Sequence, residues 1–388
     1  MLRVFAVLAV AAVLGVAVLL GSLWLEHRTA VELPALTGRF AVGRAVYDWR
    51  DERTRELLVW IWYPSSAGPS AAADDYLPPR LRAEVERARP PLISRFLTRD
   101  LSKVRIHSTR NPDVSPLQQS FPVVILRAGA SAEVWNYSAL AEDLASHGYV
   151  VVGFDTPYRT GLVVFPDGRV FRRSPDNDPE RWSAREREHR ASALLDAWTA
   201  DAAFVLDRLE RLNTTDADRF RGRLDMTRVG IFGHSFGGAA AAQFCREDPR
   251  CRAGVDVDGA LHGRVIEAGI DRPFLFLLSD HGGESDPESL GILANIQSVY
   301  GRLPANGRLR VVINGANHFT FTDDGALLKS RLLRGVLRLF GKLRIGGRRQ
   351  LEVTSYCLHT FFDAYLKEAD GSPIRIASPR YPELRAME

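Results

Sequence analysis

The stretch Val229-Gly230-Ile231-Phe232-Gly233-His234-Ser235-Phe236-Gly237-Gly238, followed by four alanines, decides the fold of this chain. An apolar run of β-branched character ends at Gly233, and a run of small residues suited to a helix begins just after Ser235. A serine with glycines two residues before and after it fits a sharp, strained strand-to-helix turn, where bulky neighbours would clash. The pattern predicts a nucleophile elbow. The alternative is a plain strand-to-helix turn with a capping serine.

Composition limits the class of protein. The 388 residues are 46% hydrophobic and 25% charged, which is ordinary for a globular chain with a large core. The net charge of +4 comes from 51 basic and 47 acidic residues. Because this balance leaves only a small basic excess for phosphate contacts, we expect no nucleic-acid partner.

The amino terminus differs from the rest of the chain. Residues 4–25 carry no charge, and the run is long enough to span a bilayer. We therefore expect residues 1–28 to be a transmembrane anchor or a signal segment. An uncleaved anchor is favoured over a cleaved signal because no small-x-small cleavage site follows closely. Arg3 gives a slight positive-inside bias, which places the rest of the chain on the periplasmic or extracellular side.

Two of the three cysteines are close in sequence. Cys245 and Cys251 bracket a short loop between a helix end and the next strand. A disulfide bond there is reasonable in an oxidising compartment, whereas a cytosolic protein would keep two reduced thiols. No histidine is spaced to complete a metal site with this pair, so we expect no metal there.

The order of predicted elements indicates an α/β protein. A buried strand, a small-residue loop, a helix and a second strand precede the elbow and form a βαβ unit, which implies a mostly parallel central sheet flanked by helices. Three further strands follow the elbow. These segments are residues 121–126, 127–131, 137–147 and 149–154 before the elbow, and 253–257, 274–278 and 309–313 after it.

The body of the chain is predicted to be one domain of residues 37–388. Residues 38–47 and 57–63 indicate a β-hairpin extension near its amino end, at a sheet edge. Insertions are expected at about residues 65–119 and 158–195. The sequence of residues 76–119 indicates no role for that segment.

Polar residues follow the strands after the elbow and should meet at the carboxyl edge of the sheet, where open α/β sheets place their sites. A serine hydroxyl needs a base within hydrogen-bond reach, and His318 follows the last predicted core strand. His234 should point away from the tip of the elbow and pack behind it. The acid that orients the base is Asp258 or Asp280, and strand order alone leaves the two nearly even.

An oxyanion hole requires two backbone N–H groups. One is expected from Phe236, the residue after the serine. The other is expected from Ala130, in the loop after the strand at residues 121–126, where Ala128 and Gly129 permit close approach of the backbone. The alternative for that loop is a tight turn without a further role.

These motifs resemble the plasma-type platelet-activating-factor acetylhydrolase family and its bacterial relatives. The similarity spans about residues 38–366. It rests on the elbow together with Tyr137-Ser-Ala-Leu-Ala-Glu-Asp-Leu-Ala-Ser-His-Gly148, Val257-Asp258-Gly259, Asn317-His318-Phe319, Trp62-Tyr63-Pro64 and Phe361-Phe362-Asp363-Ala364-Tyr365-Leu366.

The resemblance implies an α/β-hydrolase fold without metal or cofactor. It also implies cleavage of short or oxidised acyl esters, such as platelet-activating-factor-like phospholipids, by a serine carboxylic ester hydrolase. By position it assigns Ser235, Asp258 and His318 to the triad and favours Asp258 over Asp280 as the acid. Ala130 and Phe236 would contact the oxyanion. One departure is that the family's oxyanion loop usually begins His-Gly, whereas this chain has Ala128-Gly129.

Other interpretations remain at this point. A polyester or cutinase-like hydrolase would use similar chemistry, and a dienelactone-type hydrolase would normally carry a cysteine at the elbow. A catalytically dead hydrolase-fold binding protein is the alternative outside enzymes. The basic segment of residues 328–349 has leucines at helical spacing, so it is either a surface helix packed on the domain or an amphipathic helix on anionic lipid.

Overall fold

A computed structural model describes residues 2–51, 55–68, 70–89, 98–215, 218–280, 287–328, 335, 345–367 and 376–387. The strands of this part of the chain are β1 (Val31–Glu32), β2 (Ala41–Arg50), β3 (Glu56–Ser65), β4 (Ala73–Asp75), β5 (Val104–Arg110), β6 (Phe121–Arg127), β7 (Val150–Asp155), β8 (Leu162–Val164), β9 (Val170–Arg172), β10 (Leu224–His234), β11 (Cys251–Val257), β12 (Phe274–Leu278), β13 (Arg308–Ile313) and β14 (Leu384–Ala386).

The α-helices of the same residues are α1 (Leu2–Arg28), α2 (Pro79–Ala88), α3 (Ser138–Ser146), α4 (Ala184–Thr214), α5 (Phe236–Glu247), α6 (Val265–Ala268), α7 (Pro287–Tyr300), α8 (Asp324–Leu327) and α9 (Gly347–Phe362). Short 3₁₀ turns at Val134–Tyr137 and His318–Phe321 carry residues of the site.

One large sheet organises the described chain, in the order β1-β5-β2-β3-β7-β6-β10-β11-β12-β13-β14, with β4 paired to β5. The six strands from β7 to β13 in that order run parallel to one another. Strands β2, β3 and β14 add antiparallel pairs at the two sides. The predicted α/β architecture, mostly parallel at its centre, is therefore present.

The sheet has a core on each face because successive side chains of its strands point to opposite sides. On β6, Val124 and Leu126 pack toward α3 and α9. Phe121, Val123 and Ile125 pack toward α4, α5 and α7. All residues of β6 are buried, which explains why this strand is continuously apolar rather than alternating.

The predicted hairpin forms as β2 and β3, with Ala41 opposite Ser65 at its open end. Its expected position at the sheet edge is wrong. Strand β5 pairs with the outer side of β2, and β1 and β4 lie beyond it. The segment without an assigned role thus supplies β5, the strand between β2 and the short outer strands β1 and β4. The buried carboxylate of Glu142, which accepts a hydrogen bond of 2.8 Å from Ser108 N, holds that strand against α3.

Helix α1 contains a span of mean hydropathy 2.9, and none of that span is buried against the domain. Its length and composition would allow it to cross a membrane. Its carboxyl end contacts the domain, where Arg99 donates a hydrogen bond to Glu26 O and His27 Nδ1 lies 2.9 Å from Thr98 O. Elsewhere, Cys245 and Cys251 are joined as a disulfide between α5 and β11.

Candidate active site

Ser235 lies between β10 and α5 in a strained backbone conformation. Its φ is 56° and its ψ is −126°, a region that residues with a side chain rarely adopt. A Cβ atom at Gly233 would lie 2.0 Å from Gly237 O, so the turn closes only because Gly233 lacks a side chain. The predicted strand, turn and helix around the serine are present, and the serine lies at the carboxyl end of β10.

The register of the parallel strands brings Asp258 beside Ser235. His234 pairs with Val257 across β10 and β11, so the next residue of each strand emerges at the same level. Ser235 N donates a hydrogen bond of 2.9 Å to Val257 O, which joins the elbow to the end of β11. Asp258 also has a positive φ of 56°.

Asp258 contacts the histidine that the sequence analysis selected. The distance between His318 Nδ1 and Asp258 Oδ2 is 2.8 Å. The Asp258 side chain is 1% exposed, whereas that of His318 is 33% exposed and accessible from the pocket. The other carboxylate oxygen of Asp258 accepts a hydrogen bond of 2.7 Å from Ser279 N. Two strand ends and one loop thus fix this pair.

The loop that carries His318 is held from α9. Gln350 is fully buried, and its Oε1 accepts a hydrogen bond of 3.0 Å from Asn317 N. Its Nε2 donates to Asn317 O at 2.9 Å. The sequence does not reveal this support, because Gln350 lies 33 residues after Asn317. A glutamine in an amphipathic helix also gives no sign of where its side chain points.

The alternative acid, Asp280, is placed differently. Its Oδ2 accepts a hydrogen bond of 2.9 Å from Gly315 N, in the loop before His318. Since His318 Nδ1 already lies at 2.8 Å from Asp258, the geometry favours Asp258 as the partner of the imidazole.

The two expected oxyanion donors lie on segments that pack against each other. A Cβ atom at Gly129 would lie 3.2 Å from Ser235 Cβ, so the loop after β6 reaches the elbow closely. Among the described residues, no acceptor is found for the backbone N–H of Ala130 or of Phe236. Arg173 Nη2 donates to Ala130 O and holds the loop from outside.

His234 is buried behind the elbow, as predicted. Burial and, to a lesser extent, the neighbouring His318 lower the pKa of His234 to about 3, so its imidazole is neutral near pH 7. Its ring centroid lies 4.6 Å from that of His318. Its Nδ1 lies 2.8 Å from the hydroxyl of Tyr137, a residue predicted only as the start of a helix.

Ser235, Asp258 and His318 open into one small apolar pocket. The pocket has a cavity volume of about 160 Å³, and α7 and the end of β12 form most of its wall. The remaining lining residues are Gly259, Ala260, Leu278, Ser289, Ile292, Leu293 and Ile296. Chemically, the pocket offers a serine hydroxyl and an imidazole paired to a carboxylate, beside an apolar space.

Within the part of the chain that the structure describes, one group has the spacing that a metal ion requires. The ligand atoms of Asp143, His147 and His359 lie within 4.8 Å of one another. The hydroxyl of Thr37 already lies 2.9 Å from Asp143 Oδ1 and 2.8 Å from His147 Nε2. This group belongs to the junction of α3 and α9, and none of its members lines the Ser235 pocket.

The chain is similar to known ester hydrolases. The model of the family described as platelet-activating factor acetylhydrolase, isoform II, matches residues 25–158 and 207–370. A probable 1-alkyl-2-acetylglycerophosphocholine esterase of Arthroderma benhamiae is 25% identical over 280 residues, covering 68% of this chain and 65% of that protein. A platelet-activating factor acetylhydrolase of Cavia porcellus is 26% identical, covering 59% of this chain and 55% of that protein.

The chain thus spans less than two thirds of the length of these curated relatives. A solved structure, a ferulic acid esterase from Streptomyces cinnamoneus, superposes with a TM-score of 0.71 at 27% identity. The superposition covers 93% of this chain and 100% of the esterase chain. The α/β-hydrolase fold predicted from the sequence is confirmed.

Proposed function

Because the chain belongs to the platelet-activating factor acetylhydrolase, isoform II, family, we propose that it is a carboxylic ester hydrolase that works through an acyl-enzyme on Ser235. In this proposal His318 is the general base and Asp258 orients it. The observation that carries the proposal is the 2.8 Å contact between His318 Nδ1 and the buried Asp258, at the wall of the pocket that Ser235 shares.

The chemistry follows from these positions. Ser235 Oγ attacks the ester carbonyl while His318 Nε2 takes its proton, and buried Asp258 stabilises the imidazolium that forms. The N–H groups of Phe236 and Ala130 donate to the developing oxyanion. The tetrahedral intermediate collapses as His318 returns the proton to the leaving alcohol. Water, activated by the same imidazole, then hydrolyses the acyl-enzyme and restores the serine.

The proposed substrates are short-acyl or oxidised-acyl lipid esters, such as phospholipids with an acetyl group. The cavity of about 160 Å³ supports this class, because a space of this size has room for a short acyl group. Leu278, Ile292 and Ile296 give it an apolar wall that suits a short acyl chain better than a charged group.

We further propose that α1 anchors the chain in a membrane, with the catalytic domain of residues 37–388 on the periplasmic or extracellular side. The exposed apolar surface of α1 and the Cys245–Cys251 disulfide support this location. Secretion after signal cleavage is the alternative. The basic segment of residues 328–349, a second possible membrane contact, lies mostly outside the described residues.

The test is hydrolysis by the detergent-solubilised full-length chain. p-Nitrophenyl acetate, p-nitrophenyl octanoate and methyl ferulate are compared, with Ser235→Ala as the matched control. We expect the highest kcat/KM on the acetate and loss of turnover in the variant. Equal turnover by parent and Ser235→Ala would exclude the mechanism. A preference for methyl ferulate, the class of ester suggested by the Streptomyces structure, would exclude the proposed substrates.

A further inference from the structure

A buried tyrosine links the two segments that form the proposed oxyanion hole. Tyr137 ends the 3₁₀ turn before α3, and its side chain is fully buried. Gly129 N donates a hydrogen bond of 3.1 Å to its hydroxyl. The same hydroxyl lies 2.8 Å from His234 Nδ1. We call this hydrogen-bonded chain of Gly129 N, Tyr137 Oη and His234 Nδ1 the Tyr137 bridge.

The direction of the hydrogen bonds follows from the groups involved. A backbone N–H can only donate, so Tyr137 Oη accepts from Gly129 and has its own proton left to give. Because burial keeps His234 neutral near pH 7, its Nδ1 can serve as the acceptor, with the ring proton on Nε2. In this tautomer the bridge runs in one direction, from the loop to the tyrosine and from the tyrosine to the elbow.

The bridge fixes the peptide unit directly before the one that carries one proposed oxyanion donor. Gly129 O accepts a hydrogen bond of 3.1 Å from Ala132 N, while Gly129 N is held by Tyr137. The peptide bond is planar and trans, so fixing the direction of Gly129 O also fixes the opposite direction of the Ala130 N–H. The loop is thus tied on both sides of Gly129, immediately before the donor.

The other end of the bridge reaches the catalytic pair. His234 directly precedes Ser235, and its ring packs against that of His318 with centroids 4.6 Å apart. The ring of Phe321 also packs against the imidazole of His234, with ring centroids 5.6 Å apart. A shift of His234 would therefore move the surface on which the proposed base rests.

We propose that Tyr137 is a positioning residue for ester hydrolysis, which aligns the Ala130 N–H with the elbow through Gly129 and His234. This inference rests on the proposed function of Ser235. Since Tyr137 does not line the Ser235 pocket, its hydroxyl acts on the geometry of the transition state through the residues it holds. Its loss should lower kcat and leave KM nearly unchanged.

The experiment compares Tyr137→Phe with Tyr149→Phe in the full-length chain. Tyr149 is also fully buried, and its hydroxyl donates a hydrogen bond of 2.8 Å to Asp363 Oδ1. It precedes β7, at the amino-end side of the sheet and away from the elbow. Both variants lose one buried hydroxyl, so the pair separates stability from positioning.

We expect Tyr137→Phe to lower kcat on p-nitrophenyl acetate about 10- to 100-fold, less than the loss of a whole oxyanion donor. KM should change less than about threefold, and Tyr149→Phe should keep the parent's kcat. Wild-type kcat in Tyr137→Phe, with Ser235→Ala inactive, would overturn the positioning role alone, as would an equal fall of kcat in both tyrosine variants. Parental turnover in Ser235→Ala would instead refute the proposed function, and the positioning role with it.

His234→Gln provides a second measurement should Tyr137→Phe fold poorly. A glutamine amide oxygen can accept the tyrosine proton, whereas His234→Leu removes the acceptor. We expect kcat to be higher in the glutamine variant than in the leucine variant, at similar melting temperature. Equal kcat values in the two variants would contradict a role for the hydrogen bond.

Discussion

The identity of the acid can be tested by comparing Asp258→Asn with Asp280→Asn. In the parent, Ser279 N donates to Asp258 Oδ1 and His318 Nδ1 faces Oδ2. An asparagine would keep its amide oxygen toward Ser279 N, so its NH₂ group would face His318 Nδ1. Two donors cannot share that contact, and the imidazole must place its proton on Nε2. In that tautomer Nε2 cannot take the serine proton.

The magnitude follows from what the variant loses. In Asp258→Asn, His318 holds the wrong tautomer, and no negative charge lies beside the imidazolium that forms. The lost charge matters because the Asp258 side chain is 1% exposed in the parent. A loss of about 10⁴ in kcat is expected for the same change in a serine triad, equivalent to about 5 kcal/mol of transition-state stabilisation. Asp280→Asn can still accept from Gly315 N through its amide oxygen. We expect it to keep kcat within about tenfold of the parent.

The assay is steady-state hydrolysis of p-nitrophenyl acetate, with the melting temperature of each variant measured alongside. A folded Asp258→Asn protein with near-parental kcat would refute the geometric argument. Collapse of activity in Asp280→Asn alone would assign the acid to β12 instead.

Three further outcomes are expected. Gly129→Ala places a methyl group 3.2 Å from Ser235 Cβ and should lower kcat roughly tenfold by displacing the oxyanion loop; unchanged kinetics would show that the loop adapts. Burial, with neighbouring His147, lowers the pKa of His359 from 6.5 to about 4. Below pH 6.5 the unfolded state therefore binds this proton first, and this histidine alone should lower stability by about 2 kcal/mol between pH 7 and 5. Urea unfolding of His359→Phe should show a smaller fall, and an equal one would contradict the buried neutral state. The double variant Cys245→Ser with Cys251→Ser should lose about 2 kcal/mol of unfolding free energy relative to parent protein prepared under oxidising conditions. A parent whose melting temperature does not change when reductant is added would exclude the disulfide bond.

The sequence predicted those parts of the fold that depend on local patterns. Strands buried on both faces, such as residues 121–127, are continuous apolar runs that stand out by themselves. The sequence does not predict strand β5, because Val104 and Ile106 are the two apolar residues on its buried face. Strand β14 has three residues and no pattern that distinguishes it from a loop. The hairpin pattern predicts the β2–β3 pairing correctly, but it does not show that β5 pairs with β2, so the predicted position of the hairpin in the sheet is wrong.

The candidate site shows the same division between local and tertiary information. The sequence predicts Ser235 as the nucleophile and His318 as the base because each follows a predicted strand. The order of the strands along the chain is enough for this prediction. The pairing of His318 with Asp258 depends on a distance that sequence does not contain. Tyr137 and Gln350 were missed as supports of the site, because each acts through a hydrogen bond to a residue whose position depends on how the helices pack.

The backbone of the two strand ends gives a physical reason for an acid on β11. Ser235 and Asp258 both have φ of 56°, and each such residue costs about 1–3 kcal/mol. Bonds from the sheet itself offset this strain, because Ser235 N donates to Val257 O at 2.9 Å and Asp258 N to Leu277 O at 2.8 Å. Beneath them, buried Asp256 accepts a hydrogen bond of 2.8 Å from Gly259 N. Because Asp258 is held by the sheet, its position relative to Ser235 does not depend on the conformation of the outer loops. Asp280, by contrast, lies two residues beyond the end of β12, where the sheet does not hold it in this way.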